Sequence, residues 1–233
     1  MLNAIKRKIS NLFWEIDLPD LKNLQDSHLD LGGGSKPRNP FNANNFFACD
    51  FIAPSKQVDK VTFVECDLTE KLPFKTNSFS SISAYDVLEH IPRWQKEKND
   101  VSFPFINLMS EIFRVLKPGG YFYAITPMYP SRAAFVDPTH VNVLTLESVN
   151  YFAGPTHAKE LGYGFDGNFE IIFSGWLRGS GPFDTGKSLR SELRINQWSS
   201  RSLILILKIL KRLVMAKTNL QPSHGLWVLR KPI

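Results

Sequence analysis

His28-Leu29-Asp30-Leu31-Gly32-Gly33-Gly34-Ser35-Lys36-Pro37 decides how this chain is read. A short strand runs into an acid-x-Gly-x-Gly turn. Gly32 and Gly34 carry no Cβ and tolerate φ > 0, so the backbone around Gly33 can come close to a ligand. A second strand-like stretch, Phe46 to Phe51, carries an acid at Asp50. An acid closing the next strand, about 20 positions on, can accept hydrogen bonds from both hydroxyls of a ribose. A bend of bare backbone beside such a carboxylate suits a ligand with an amino acid at one end and a ribose at the other.

Working outward, Val61 to Cys66 reads as a third strand and Ser80 to Tyr85 as a fourth. Phe105 to Leu116 has helical spacing of apolar residues and stops at Lys117-Pro118-Gly119-Gly120, a sequence suited to a helix stop and tight turn. Tyr121 to Ile125, Phe169 to Phe173 and Leu226 to Leu229 are strands five to seven. Strands alternating with helices predict a largely parallel sheet covered on both faces. The stretch Ser35 to Asn45 holds two prolines and four asparagines, which oppose a full helix. A parallel crossover needs about a dozen residues, so this one is minimal.

Three further signals follow strand ends, where open α/β sheets bind ligands. They are Cys66-Asp67-Leu68, Tyr85-Asp86-Val87-Leu88-Glu89-His90-Ile91, and Arg114-Val115-Leu116-Lys117-Pro118-Gly119-Gly120 ahead of strand five. An acid at Asp67 can accept from an adenine amino group while Leu68 packs on the ring. The plainer readings stay open: Asp67 capping a turn, Asp86 and Glu89 serving a helix start, and His90 being structural. A dinucleotide fingerprint needs a third glycine where Pro37 stands, and the phosphate-binding G-x-x-x-x-G-K-[ST] loop is absent from the sequence.

Together these residues resemble the class I S-adenosylmethionine-dependent methyltransferases, particularly the broad type 11 group, over about residues 28 to 127. The resemblance implies an α/β, Rossmann-like, seven-stranded, mostly parallel sheet with helices on both faces and the last strand antiparallel. It implies S-adenosylmethionine as cofactor. The methionine part maps to Asp30, Gly32, Gly33 and Gly34, the ribose to Asp50 beside Phe51, and the adenine to Asp67 and Leu68. Asp86 maps to the position facing the methionine end.

Such enzymes pass a methyl group from a sulfonium by in-line displacement, so they chiefly position the acceptor and exclude water. An alcohol acceptor also needs a base. Phe135-Val136-Asp137-Pro138-Thr139-His140-Val141-Asn142 supplies one at His140, whose imidazole can take up a proton, with Asp137 placed to orient it. The alternative is that both only fix a loop. The Asp-Pro-Thr-His stretch resembles a subset of type 11 proteins associated with polysaccharide or glycolipid pathways, which implies a small-molecule or glycan-like acceptor. Tyr129, Phe135, Tyr151 and Phe152 are candidates to line its pocket. A metal site from Asp137, His140 and His157 is disfavoured by irregular spacing, so no metal is expected.

The 233 residues are 43% hydrophobic and 21% charged, ordinary for a soluble globular chain. Cys49 and Cys66 fall in strands and read as reduced core thiols of a cytoplasmic protein. The net charge of +6 and pI of 9.3 admit an RNA methyltransferase as an alternative. Against nucleic acid, the basic residues are dispersed. The N-terminus lacks the apolar core of a signal peptide, and no apolar run is long enough to cross a bilayer.

The chain divides into an N-terminal amphipathic helical segment, 1–26, and a methyltransferase domain, 27–233. Within the latter lie an acceptor-side region, 127–167, and a helical insertion, 179–222. The apolar run within 201–217, with Lys208, Lys211 and Arg212, reads as a helix that packs on the sheet, on a second copy in a homo-oligomer, or on a membrane surface. A non-catalytic, membrane-peripheral protein that keeps the fold is the remaining alternative.

Overall fold

Ser27–Leu31 (β1) is buried at every position, as a central strand of a parallel sheet must be. A computed structural model describes residues 26–54, 58–96, 98, 100–153, 161–177 and 223–233. The expected segments 1–26 (but for Asp26) and 179–222, with the run 201–217 and His157, lie outside these residues. β1 is followed by Asn45–Asp50 (β2), Thr62–Glu65 (β3) and Phe79–Tyr85 (β4), then by a small antiparallel pair, Gln95–Lys96 (β5) with Val101–Ser102 (β6). Leu116–Pro127 (β7), Glu170–Trp176 (β8) and His224–Arg230 (β9) complete a seven-stranded sheet of order β3-β2-β1-β4-β7-β9-β8. β1 to β4 and β7 pair in parallel, and β9, the last strand of the chain, is antiparallel to both neighbours. The architecture is the Rossmann-like one expected, with the last strand reversed.

The two faces of the sheet differ. Leu29, Leu31, Ile82, Ala84, Phe122 and Ala124 point to one face and join the main core. Pro104–Val115 (α1) lies against them through Phe105, Leu108, Met109, Ile112 and Val115, the helical repeat read from sequence. Pro104 opens that helix, where its missing N–H costs nothing. The alternate residues of the same strands, His28, Asp30, Ser81, Ser83, Tyr121, Tyr123 and Ile125, are also buried. Phe41 covers part of this second face, packing edge-on to Tyr123 and 5.5 Å from the His28 ring. Phe41 comes from the β1–β2 crossover, which is turns and bends throughout, as its prolines and asparagines predict.

The Lys117–Gly120 stretch departs from expectation. It is the opening of β7 and not a separate turn. Leu116 is already extended and pairs with Phe79, after which the register shifts before Ser81. Gly119 takes φ +76°, and Pro118 lacks a donor, so the chain bulges without leaving the sheet. Gly119 N donates to Lys231 O and Lys231 N donates to Gly120 O, which pin the bulge to the chain's last residues. Cys49 and Cys66 are both buried thiols, as expected.

Candidate active site

The loops at issue leave the carboxyl ends of β1, β2, β3, β4 and β7, and β9 starts at that same edge because it runs the other way. Gly32 N donates to Cys49 O at 2.8 Å, which docks the glycine bend on the end of β2. Gly32 and Gly34 have φ of +64° and +50°. A Cβ at Gly32 would sit 2.3 Å from Val87 Cγ2, so the bend also needs glycine for space. Gly34 N donates to Asp50 Oδ2 at 2.9 Å, and Phe51 N donates to Asp50 Oδ1 at 2.7 Å. The carboxylate thus stands against the glycine bend, partly exposed, with lone pairs left on both oxygens. Phe51 itself is exposed.

Asp30 is placed differently from its three neighbours in the motif. It is buried on the second face, where Oδ1 accepts from Ser83 Oγ at 2.5 Å and Oδ2 from Arg38 N at 2.7 Å. His28 extends the network, with Nε2 2.9 Å from Ser83 Oγ and Nδ1 2.8 Å from Ser81 Oγ. Because the Ser83 hydroxyl proton goes to Asp30, Nε2–H donates to Ser83 and Nδ1 accepts from Ser81. Burial pushes the Asp30 carboxyl up to about 7 and the His28 imidazole down to about 3. Asp30 therefore ties the loop beyond Gly34 to the sheet.

Asp67 Oδ1 accepts from Thr69 N at 2.8 Å and from Thr69 Oγ1 at 2.7 Å, the turn-capping geometry that was its plainer reading. Leu68 is half-buried against the main core. Asp86 holds φ +54° just past β4, an uncommon conformation for a residue with a side chain, and its N–H donates to Ile125 O at 2.9 Å. Its Oδ1 is buried without a hydrogen bond, although His224 Nε2 lies 3.1 Å away. Arg38 is the other orphan. Its guanidinium lies over the Tyr85 ring at 4.2 Å, and its Nη1 is buried with no hydrogen-bond partner. Neither Arg38 nor His224 carries a motif that sequence reading could use.

On the acceptor side, His140 Nε2 is 4.0 Å from Asp137 Oδ2, too far for a hydrogen bond. Asp137 stands beside the ring, and its Oδ1 accepts from Thr139 N at 2.8 Å and Thr139 Oγ1 at 2.6 Å. The residues that sequence reading set aside, Glu89 and His90, stand next to His140. Glu89 Oε1 is also 4.0 Å from His140 Nε2, and the His90 and His140 rings meet edge to face at 4.8 Å. Glu89 and His90 lie in the turn after β4, but nothing in the sequence announces that His140 meets them there. Of the four aromatics, Tyr129, Phe135 and Tyr151 are exposed, whereas Phe152 is in the core.

Residues 29–124 match the family profile described as a methyltransferase domain. Over that stretch, from β1 into β7, the chain is similar to the methyltransferase-domain family. The fold agrees with three solved structures. One is from a complex between the Haloferax volcanii Trm112 methyltransferase activator and a methyltransferase, with 16% identity and TM-score 0.50, over 97% of this chain and 88% of that one. A second is an S-adenosylmethionine-dependent methyltransferase from Archaeoglobus fulgidus, with 12% identity and TM-score 0.50, over 98% and 92%. The third is Haemonchus contortus phosphoethanolamine N-methyltransferase 2 in complex with S-adenosylmethionine, with 16% identity and TM-score 0.51, over 100% and 52%. At such identities the likeness is one of fold. No curated protein matches the chain in sequence.

The Haemonchus contortus enzyme was solved with S-adenosylmethionine bound. The orphaned atoms fit that molecule's methionine end, which carries a carboxylate and an ammonium. Arg38 Nη1 lacks an acceptor and Asp86 Oδ1 lacks a donor, and Arg38 stacks on Tyr85, the residue next to Asp86. Among the described residues, no helix is long and apolar enough to cross a membrane.

Proposed function

We propose that this protein transfers the methyl group of S-adenosylmethionine to a hydroxyl of a small-molecule or glycan-like acceptor. The observation that carries the cofactor half is the Gly34 N to Asp50 Oδ2 hydrogen bond of 2.9 Å, which sets a ribose-binding carboxylate against the glycine bend. Gly32, Gly33 and Gly34 receive the methionine part, with Arg38 Nη1 for its carboxylate and Asp86 Oδ1 for its ammonium. Asp50 takes the ribose hydroxyls with Phe51 beside it, and Leu68 packs toward the adenine, with Asp67 at its rim. The sulfonium supplies an activated methyl, so the protein's task is alignment and exclusion of water.

The hydroxyl reading rests on His140, whose side chain is only 9% exposed and whose ring makes no hydrogen bond that would occupy Nε2. The acceptor's proton leaves toward this group. The exposed rings of Tyr129 and Phe135, edge to face at 6.4 Å, offer apolar faces of the kind that pack on a sugar ring. Incubation with labelled donor and fractionated cell extract, glycans and glycolipid precursors included, tests the class of acceptor. His140→Ala is expected to lower turnover at least about 100-fold while S-adenosylhomocysteine binds as before. Equal loss of turnover and cofactor binding would show that His140 shapes the fold instead.

A further inference from the structure

Glu89 is a buried acid with one oxygen unsatisfied. Its Oε2 accepts from Thr126 Oγ1 at 2.7 Å, while Oε1 is buried with no hydrogen-bond partner. The side chain is 1% exposed, and a lone carboxylate so placed is strongly unfavourable without a counter-charge. What Oε1 faces is His140 Nε2 at 4.0 Å, and that nitrogen stands at the same distance from Asp137 Oδ2. Neither approach is a hydrogen bond. His140 Nδ1 is buried and unpaired as well, so no hydrogen bond fixes this ring at either nitrogen.

Donors that share one metal ion, each about 2.1 Å from it, lie about 3–4 Å from one another. One nitrogen each of His90 and His140 and one oxygen of Glu89 lie within 4.8 Å of one another, slightly wider than a closed coordination shell. The backbone holds them there. Val141 N and Asn142 N both donate to Glu89 O at 2.9 Å, and Asn142 Nδ2 donates to Leu88 O at 3.0 Å. Thr139 Oγ1 lies 3.1 Å from His90 Nδ1 and fixes that ring from the loop side. The loop bearing His140 is thus clamped to the turn bearing Glu89 and His90, fifty positions earlier in sequence, so spacing alone gives no hint of the cluster.

We propose that Glu89, His90 and His140 bind a divalent cation, with Asp137 Oδ2 at the rim as a further oxygen donor. Two imidazoles with a carboxylate select a first-row transition ion such as Mn²⁺, Fe²⁺, Co²⁺ or Zn²⁺. Mg²⁺ and Ca²⁺ favour oxygen donors throughout. Three protein ligands leave positions open for an oxygen of the acceptor, at the sheet edge that also carries Asp86. The site does not depend on what the acceptor is. With the ion in place His140 serves as a ligand and no longer as a base, and a hydroxyl bound at an open position, made more acidic by the ion, gives its proton to solvent.

The test is titration of the metal-stripped full chain with Mn²⁺, followed by calorimetry and by the loss of the free-ion electron paramagnetic resonance signal. One equivalent is expected to bind, to be displaced by Zn²⁺, and to stay bound in the presence of excess Mg²⁺. Glu89→Gln keeps an oxygen for Thr126, so it preserves the fold. It and His140→Ala are each expected to weaken Mn²⁺ at least about tenfold, while S-adenosylhomocysteine still raises the melting temperature of both. Absence of Mn²⁺ and Zn²⁺ binding, or binding unchanged in both variants, would overturn the proposal. If the wild type gave that result yet still bound S-adenosylhomocysteine, the cation site would fall and the cofactor reading would stand.

Discussion

Asp30 works from inside the sheet, where it ties Arg38 of the loop beyond Gly34 to Ser83 of β4. Its carboxyl keeps its proton up to about 7 because burial disfavours the anion. In the unfolded chain it titrates near about 3.9. Above that pH the unfolded chain has released a proton that the fold still holds, so rising pH favours unfolding until about 7 and has no further effect beyond it. Burial raises Glu89 in the same sense, and His28, lowered to about 3, acts oppositely, losing stability as pH falls below about 6.5. Comparing wild type with Asp30→Asn isolates the first contribution. Urea midpoints measured across pH 4 to 8 are expected to converge or cross as pH rises, with the wild type losing ground; parallel profiles would contradict the account. At Gly32, alanine adds a clash with Val87 to the cost of a left-handed backbone, about 1–2 kcal/mol. At Gly34 the new Cβ meets only Asp50 Oδ2 at an ordinary 3.7 Å. Gly32→Ala is therefore expected to destabilise more than Gly34→Ala in the same urea assay. That both glycines are needed was legible in the turn; that Val87 makes the first stricter was not, because it lies 55 positions away.

At the scale of elements, the last turn of α1 grips the loop after β3. Arg114 Nη1 donates to Phe74 O at 2.8 Å and Nη2 to Leu72 O at 3.1 Å, while Leu72 N donates to Glu111 Oε2 at 2.9 Å. Glu111 and Arg114 also pair with each other one turn apart. This loop carries Asp67 and Leu68. Arg114→Ala is expected to cost about 1–3 kcal/mol and to speed amide hydrogen exchange across 66–78 more than in β1. Equal protection in both segments would mean the clamp is ornamental. Both halves of the clamp stood out in the sequence, Leu72-Pro73-Phe74 and Arg114, but nothing local announces that they meet. The strands themselves were legible, because a short apolar run between turn residues reads the same wherever it packs. The Lys117–Gly120 stretch misled because proline and glycine mark a turn and a bulge alike; only the neighbouring strand and the tail at Lys231 decide between them.

For the molecule as a whole, the candidate residues that the structure describes gather at the carboxyl edge of one sheet. The glycine bend, Asp50 and Asp86 were legible because each follows a strand, and strand order follows from chain order in this fold. Arg38, His224 and the Glu89–His90–His140 cluster were not, since each gains its meaning from a neighbour distant in sequence. The account's central claim is that the bend at Gly32–Gly34 and the carboxylate of Asp50 hold one cofactor between them. Thermal denaturation with S-adenosylhomocysteine, in wild type and Asp50→Ala, tests it most directly. The wild type is expected to melt higher with the ligand, and the variant, folded by circular dichroism, to need at least about tenfold more ligand for the same rise. A wild type that ignores the ligand, or a variant that responds as the wild type does, would contradict it.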